Sequence, residues 1–189
     1  MRESINEIIQ GLNQISRMAV LENAQKTERM VSILSKWMKY RFTEEKNMVI
    51  ARKEILMANM ILESVDLGGS IDMQCELVEE TDLNSIFLPH YSISAYVNNI
   101  MKALLEETRQ CKVTIRATGE NEKVIISLRF EGEFKPSTCK QRASQFSKRD
   151  EYEDLERVKE RWQEQFGENT IELIENDEEK QLLVTMTCF

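Results

Sequence analysis

The sequence predicts an α+β protein: an N-terminal antiparallel helical hairpin, forming a dimeric four-helix bundle, followed by an α/β sandwich with a mixed sheet. Three observations predict it. Apolar residues recur at helical spacing from Glu3 to about Asp66. From Ser70 the spacing changes to strict alternation. Beyond that, strand-like runs interleave with two amphipathic helical stretches. The expected division is residues 1–66 for the helical dimerisation and linker region and 67–189 for the sandwich.

In the first helix, Ile5, Ile8, Ile9, Leu12, Ile15 and Ala19 share one face. Asn23 offers a break. A second helix carries Met30, Ile33, Leu34, Trp37 and Met38 on one stripe, and a third runs from about Val49 to Val65, closed by Gly68-Gly69. A lone hairpin cannot bury its apolar stripe, so pairing with a second copy is expected. Ile71, Met73, Cys75 and Leu77 then alternate with Asp72, Gln74 and Glu76 as a half-buried strand, and Asp82–Leu88 reads as a short second one. Ile93, Tyr96, Val97, Ile100, Met101, Leu104 and Leu105 mark an amphipathic helix. Lys112–Thr118 and Lys123–Phe130 form a hairpin around residues 119–122. Phe134–Arg149 reads as a loop, with Lys135, Lys140, Arg142, Lys148 and Arg149 and no acid. Asp150, Glu151, Glu153 and Asp154 open a further helix, whose apolar side is Leu155, Val158, Trp162 and Phe166 and which Gly167 ends. Thr170–Glu175 and Gln181–Cys188 make the last hairpin.

Composition narrows function. The 189 residues hold six glycines, where average usage of ~7% would give about thirteen. No Walker-type loop and no G-x-G-x-x-G occurs, which argues against P-loop and Rossmann enzymes. A net charge of −8 argues against a nucleic-acid partner. The N-terminus carries acids where a signal peptide would be apolar, and no run reaches ~18 apolar residues, so a cytoplasmic segment without membrane contact is expected. Cys75, Cys111, Cys139 and Cys188 are widely spaced and read as reduced thiols, two or three of them buried. The single histidine, His90 in LPHY, reads as a strand-end residue satisfied by backbone or water.

Four stretches resemble the cytoplasmic part of sensor histidine kinases of the LytS/YesM type, a bacterial two-component family with a dimerisation hairpin and a GHKL (Bergerat) ATPase domain. Gly11-Leu12-Asn13-Gln14-Ile15 resembles the second half of the family's acceptor box. AQKTERMVSILSKWMKYRF resembles its second helix, VIARKEILMANMILESVDL its V-x-L-x-E-E-L segment, and LPHYSISAYVNNIMK its I-P-P-x-x-L-Q-P-L-V-E-N-A-I-K box. Asn99 matches the family's magnesium-holding asparagine and Lys102 the lysine after it. The resemblance implies ATP and magnesium as cofactors of an active member.

The departures imply a degenerate one. Extending the acceptor box backwards puts Asn6 at the phosphoacceptor position, and asparagine has no ring nitrogen to form a phosphoramidate. The box's second asparagine is Gln10, and Asn98 replaces the glutamate beside the magnesium asparagine. Of the first glycine box, D-N-G-x-G, only Gly132 survives. The adenine-reading aspartate is Phe130, unless a one-residue slip lets Glu131 stand in. Both glycines of the second box, G-x-G-L-x-N, are lost across Tyr152–Arg157.

The expected function is a histidine-kinase-like module of two-component type, catalytically degenerate, acting as a homodimeric regulatory or scaffold protein. Two alternatives stand beside it: an active kinase using ATP near Asn99, and a binding module for a true kinase's dimerisation helices. A sensor kinase or a response regulator is the implied partner. Asn99 could equally be a solvated helix asparagine. The basic stretch could be a triphosphate or acidic-partner clamp, or a solvated surface loop.

Overall fold

A computed structural model describes residues 2–42, 48–69, 71–120, 123–147 and 155–188. Helices α1 (Arg2–Leu21) and α2 (Gln25–Phe42) are joined through residues 22–24 and pack on each other. Asn23, with φ 56, turns the chain in the left-handed region that asparagine tolerates. The apolar stripe of α1 divides: Ile9 and Ala19 are buried, while Ile8, Ile15 and Met18 are about half exposed or more.

Helix α3 (Ala51–Leu67) starts later than the periodicity predicts, because Met48–Ile50 forms a short strand, β1. Its partner is β3 (Phe87–Pro89), antiparallel, with Val49 opposite Leu88. The strand expected over Asp82–Leu88 is therefore shorter and shifted. Asp82 holds a turn instead, its carboxylate accepting from the Asn84 amide at 3.0 Å. Gly68-Gly69 closes α3 as expected, with Gly69 at φ 65.

The main sheet has the order β2 (Asp72–Glu79), β4 (Gln110–Glu120), β5 (Lys123–Gly132), β7 (Gln181–Cys188), β6 (Ile171–Asn176). It is mixed: β2 and β4 are parallel and the other pairs antiparallel. A parallel pair needs a crossover, which α4 (Ile93–Glu107) supplies. Strand alternation buries Val113, Ile115, Ala117, Ile126, Leu128, Phe130, Val184 and Met186 on one face and leaves Lys112, Arg116 and Arg129 exposed on the other. Helices α3, α4, α5 (Pro136–Ser147) and α6 (Leu155–Phe166) form one layer, with α4 touching the other three. Trp162 seats α6. Its ring is fully buried and its Nε1 donates to Thr187 O at 3.0 Å, an arrangement whose loss on truncation to alanine costs about 3–5 kcal/mol.

Helix α5 corrects the loop expected over Phe134–Arg149. Pro136 fits the first helical position, where a missing N–H costs nothing. Asp177, in the turn between β6 and β7, accepts from the Ser137 amide at 2.9 Å and its hydroxyl at 2.7 Å, satisfying a donor that no helical carbonyl can reach. Cys139, Ala143 and Phe146 fall at i, i+4 and i+7 and turn inward. Lys148, Arg149 and the acids Asp150, Glu151, Glu153 and Asp154 lie outside the described residues. No helix among the described residues is long and apolar enough to cross a membrane.

Candidate functional site

Helix α4 carries the asparagine box and is buried on nearly every side, more fully than the amphipathic helix expected from the sequence, with Ser94, Ala95, Asn99 and Ala103 buried beside its apolar stripe. Asn99 is fully buried. Its Nδ2 donates to Ala95 O at 3.0 Å, one turn back on the same helix. It is therefore not the solvated asparagine of the bland expectation. Lys102 is half-buried one turn further on.

Gly132 ends β5 opposite Cys111. A Cβ there would lie 2.6 Å from Gln110 O and 3.4 Å from Cys111 Cα. The surviving glycine of the first box is thus required by the approach of β4, whatever else it does. Phe130, at the adenine-aspartate position, is fully buried in the core. Glu131 cannot take that place by a one-residue slip, because alternation puts it on the opposite sheet face. There it accepts from Gln181 Nε2 at 3.2 Å and lines a shallow cavity of about 240 Å³ with Glu76, Lys112, Arg116 and Arg129. A second cleft of about 430 Å³ lies beyond the end of α4, between Asp72, Glu106, Arg109 and Glu133. Neither cavity is lined by Asn99, Lys102 or Gly132. Asn6 is exposed on α1, which packs on α2, whereas Asn99, Lys102 and Gly132 lie on α4 and β5.

Among the described residues of the 134–149 stretch, Lys140 and Arg142 face the chain's own acids. Lys140 bonds the Glu175 carboxylate and donates to Leu173 O at 3.3 Å. Arg142 reaches Glu106 at 2.9 Å and Glu107 at 3.0 Å. Two hydrogen bonds from Ser137 hold the exposed Asp177 carboxyl below its ordinary range, with Lys135 adding a smaller pull. These contacts tie α5 to α4 and to the β6–β7 hairpin.

His90 meets its expectation of a backbone partner: Nε2 lies 2.9 Å from Tyr40 O, and the two rings sit 4.4 Å apart. The four thiols are unpaired, with Cys111, Cys139 and Cys188 buried and Cys75 exposed.

Sequence reasoning missed Glu54. This residue has no solvent exposure and accepts from Tyr40 Oη, from the Tyr91 amide, from the Ser94 amide at 3.2 Å and from Ser94 Oγ at 3.3 Å. Burial pushes its carboxyl well above the ordinary range, and the four donors pull the other way without overcoming it. Tyr40 is pushed up too, first by its own burial and then by the neighbouring carboxylate. A signal was present: Glu54 shares the stripe of Ala51, Ile55, Ala58, Ile61 and Leu62, where a charge has no business unless it is bonded.

No family model matches the chain, and no curated protein matches it by sequence. Solved structures do. A bacterial phosphotransferase overlays 98% of this chain on 92% of its own, at a TM-score of 0.52 and 10% identity. At that identity the likeness is one of fold, and the α+β architecture with its five-stranded mixed sheet is that fold. Looser overlays join the chain to the catalytic domain of the histidine kinase ThkA, over 75% of this chain and 92% of that one at a TM-score of 0.48 and 15% identity. The histidine kinase AdeS of Acinetobacter baumannii follows, over 98% and 95% at 0.46 and 10%.

Proposed function

We propose that this chain is a two-component, histidine-kinase-shaped module of the LytS/YesM kind that has lost phosphotransfer and works as a homodimeric regulatory or scaffold protein. The observation that carries this reading is the burial of Asn99, the residue that the resemblance makes the magnesium holder beside Lys102 and Gly132. Three others support it. Asn6 supplies no phosphoacceptor nitrogen. Phe130 fills the adenine-aspartate position with core. Lys140 and Arg142 are engaged with the chain's own carboxylates. In this reading residues 1–66 dimerise and link, residues 67–189 form the ATPase-like part, and a sensor kinase or response regulator is the partner.

The dimer seam is the exposed apolar row of α1, Ile8, Ile15 and Met18, whose spacing of seven and three residues suits a helix-bundle seam. Light scattering at tens of micromolar is expected to give twice the chain mass, and a clean monomer removes the dimer. For the loss of nucleotide binding, thermal unfolding with and without ATP–magnesium is decisive. A ligand at a hundred times its Kd adds about 2.7 kcal/mol of stability, and no rise is expected here.

A further inference from the structure

We propose that Glu54 is a conformational latch that fixes the α1–α2 hairpin in one pose on the sheet domain, and that parting it from Tyr40 releases the hairpin to a second pose while the sheet domain stays folded. The geometry gathers groups from every element at this corner. Tyr40 comes from α2, Glu54 from α3, His90 and Tyr91 from the turn after β3, Ser94 from α4 and Arg161 from α6. Arg161 Nη1 donates to His90 O at 3.1 Å, His90 Nε2 meets Tyr40 O at 2.9 Å, and Tyr40 Oη closes the ring on Glu54.

Three features distinguish this corner from ordinary packing. First, the hairpin meets the domain core near the Glu54 corner. Among the described residues of α2, Ile33 and Tyr40 join the buried cluster that unites the sheet with α3–α6, Trp37 packs at its edge, and Arg41 lies over the Tyr91 ring at 5.9 Å. Second, the two ends of the α2–α3 seam are unequal. Arg29 forms a two-pronged pair with Glu63 at 2.6 and 2.9 Å, but that pair is exposed and holds little. The far end is held by Glu54, a desolvated carboxyl whose bonds are strong while intact and whose exposure to water is favourable once one partner leaves. Third, Tyr91 sits at φ 58, unusual for a bulky residue, and its amide there bonds Glu54. Such strain persists only where surrounding contacts fix it, and it concentrates at switch regions. The Tyr91 and Ser94 donors hold the Glu54 carboxyl within the sheet domain, so the Tyr40 hydroxyl is the bond to this carboxyl that crosses to the hairpin.

The test uses the full chain with Cys75→Ser and two labelling cysteines, Glu22→Cys beside the α1–α2 turn and Glu178→Cys in the β6–β7 turn. Labelled chain is diluted into an excess of unlabelled chain so that the distance read is within one copy. The parent is expected to give one narrow distance population. Tyr40→Phe, which keeps the ring and removes only Oη, and Glu54→Gln are expected to add a second population raised at least about fivefold, since depriving a buried acceptor of its donor is worth roughly five- to hundredfold in an equilibrium. Hydrogen exchange in β4, β5 and β7 is expected to stay at the parent level. The latch is overturned if Tyr40→Phe folds with the parent's single population. It is equally overturned if exchange rises together in the hairpin and the sheet, which would make Glu54 a structural residue only. Should Glu54→Gln fail to fold, Tyr40→Phe alone decides.

Discussion

Gly132 invites a substitution that separates a packing role from a phosphate-binding one. Replacing it with alanine places a Cβ 2.6 Å from Gln110 O, a backbone atom at the start of β4 that cannot swing aside as a side-chain tip would. Removing a glycine also restricts the unfolded chain, which by itself favours the alanine variant by about 0.4–1 kcal/mol. Overpacking a well-filled site costs about 1–3 kcal/mol, so the net expectation is a loss of roughly 1–2 kcal/mol. For a chain of this length that lowers Tm by about 2–8 °C, at about 2–4 °C per kcal/mol. The assay is paired urea and thermal unfolding of Gly132→Ala beside the parent. A variant as stable as the parent, or more so, refutes the claim that the approach of β4 is what requires glycine at this position.

Two further outcomes are expected. The folded Glu54 carboxyl titrates above its ordinary value of 4.5, so its contribution to stability is fully present below that value and is lost as pH rises through the folded one. Urea unfolding from about pH 4 to about pH 8 should then show the parent losing stability relative to Glu54→Gln as pH rises, whereas a constant difference, or a parent that gains on the variant as pH rises, contradicts the burial argument. Burial pushes the Cys111, Cys139 and Cys188 thiols up to about 12 and Cys75 to about 11. A thiol reagent at neutral pH should therefore modify Cys75 alone, slowly, and all four in denaturant. Rapid native labelling of a second thiol would show that the core is open.

The parts of the fold that depend on local spacing were legible in the sequence. Alternation over 71–77 gave β2, Asn23 and Gly68-Gly69 gave the helix ends, and the stripe from Ile93 to Leu105 gave α4. The parts that depend on distant partners were not. β1 exists because Leu88 lies opposite Val49, and three residues carry no period of their own. Helix α5 has a short, weak stripe of Cys139, Ala143 and Phe146, and it reads as loop until Asp177 is known to satisfy the Ser137 amide. The same holds for the candidate site. Asn99, Lys102 and Gly132 could be found by position, but the burial of Asn99 arises from the helices around α4, and the contact behind Gly132 from the neighbouring strand. Glu54 was hidden differently. A glutamate on a helix reads as solvated unless its place on the apolar stripe is weighed.

The central claim of the proposed function is that this chain holds no nucleotide at Asn99. Calorimetric titration of the purified protein with ATP–magnesium tests it most directly. The expected result is no saturable heat up to millimolar nucleotide. Saturable binding at micromolar concentration, abolished by Asn99→Ala in a variant that still folds, would contradict the account and restore the active-kinase reading.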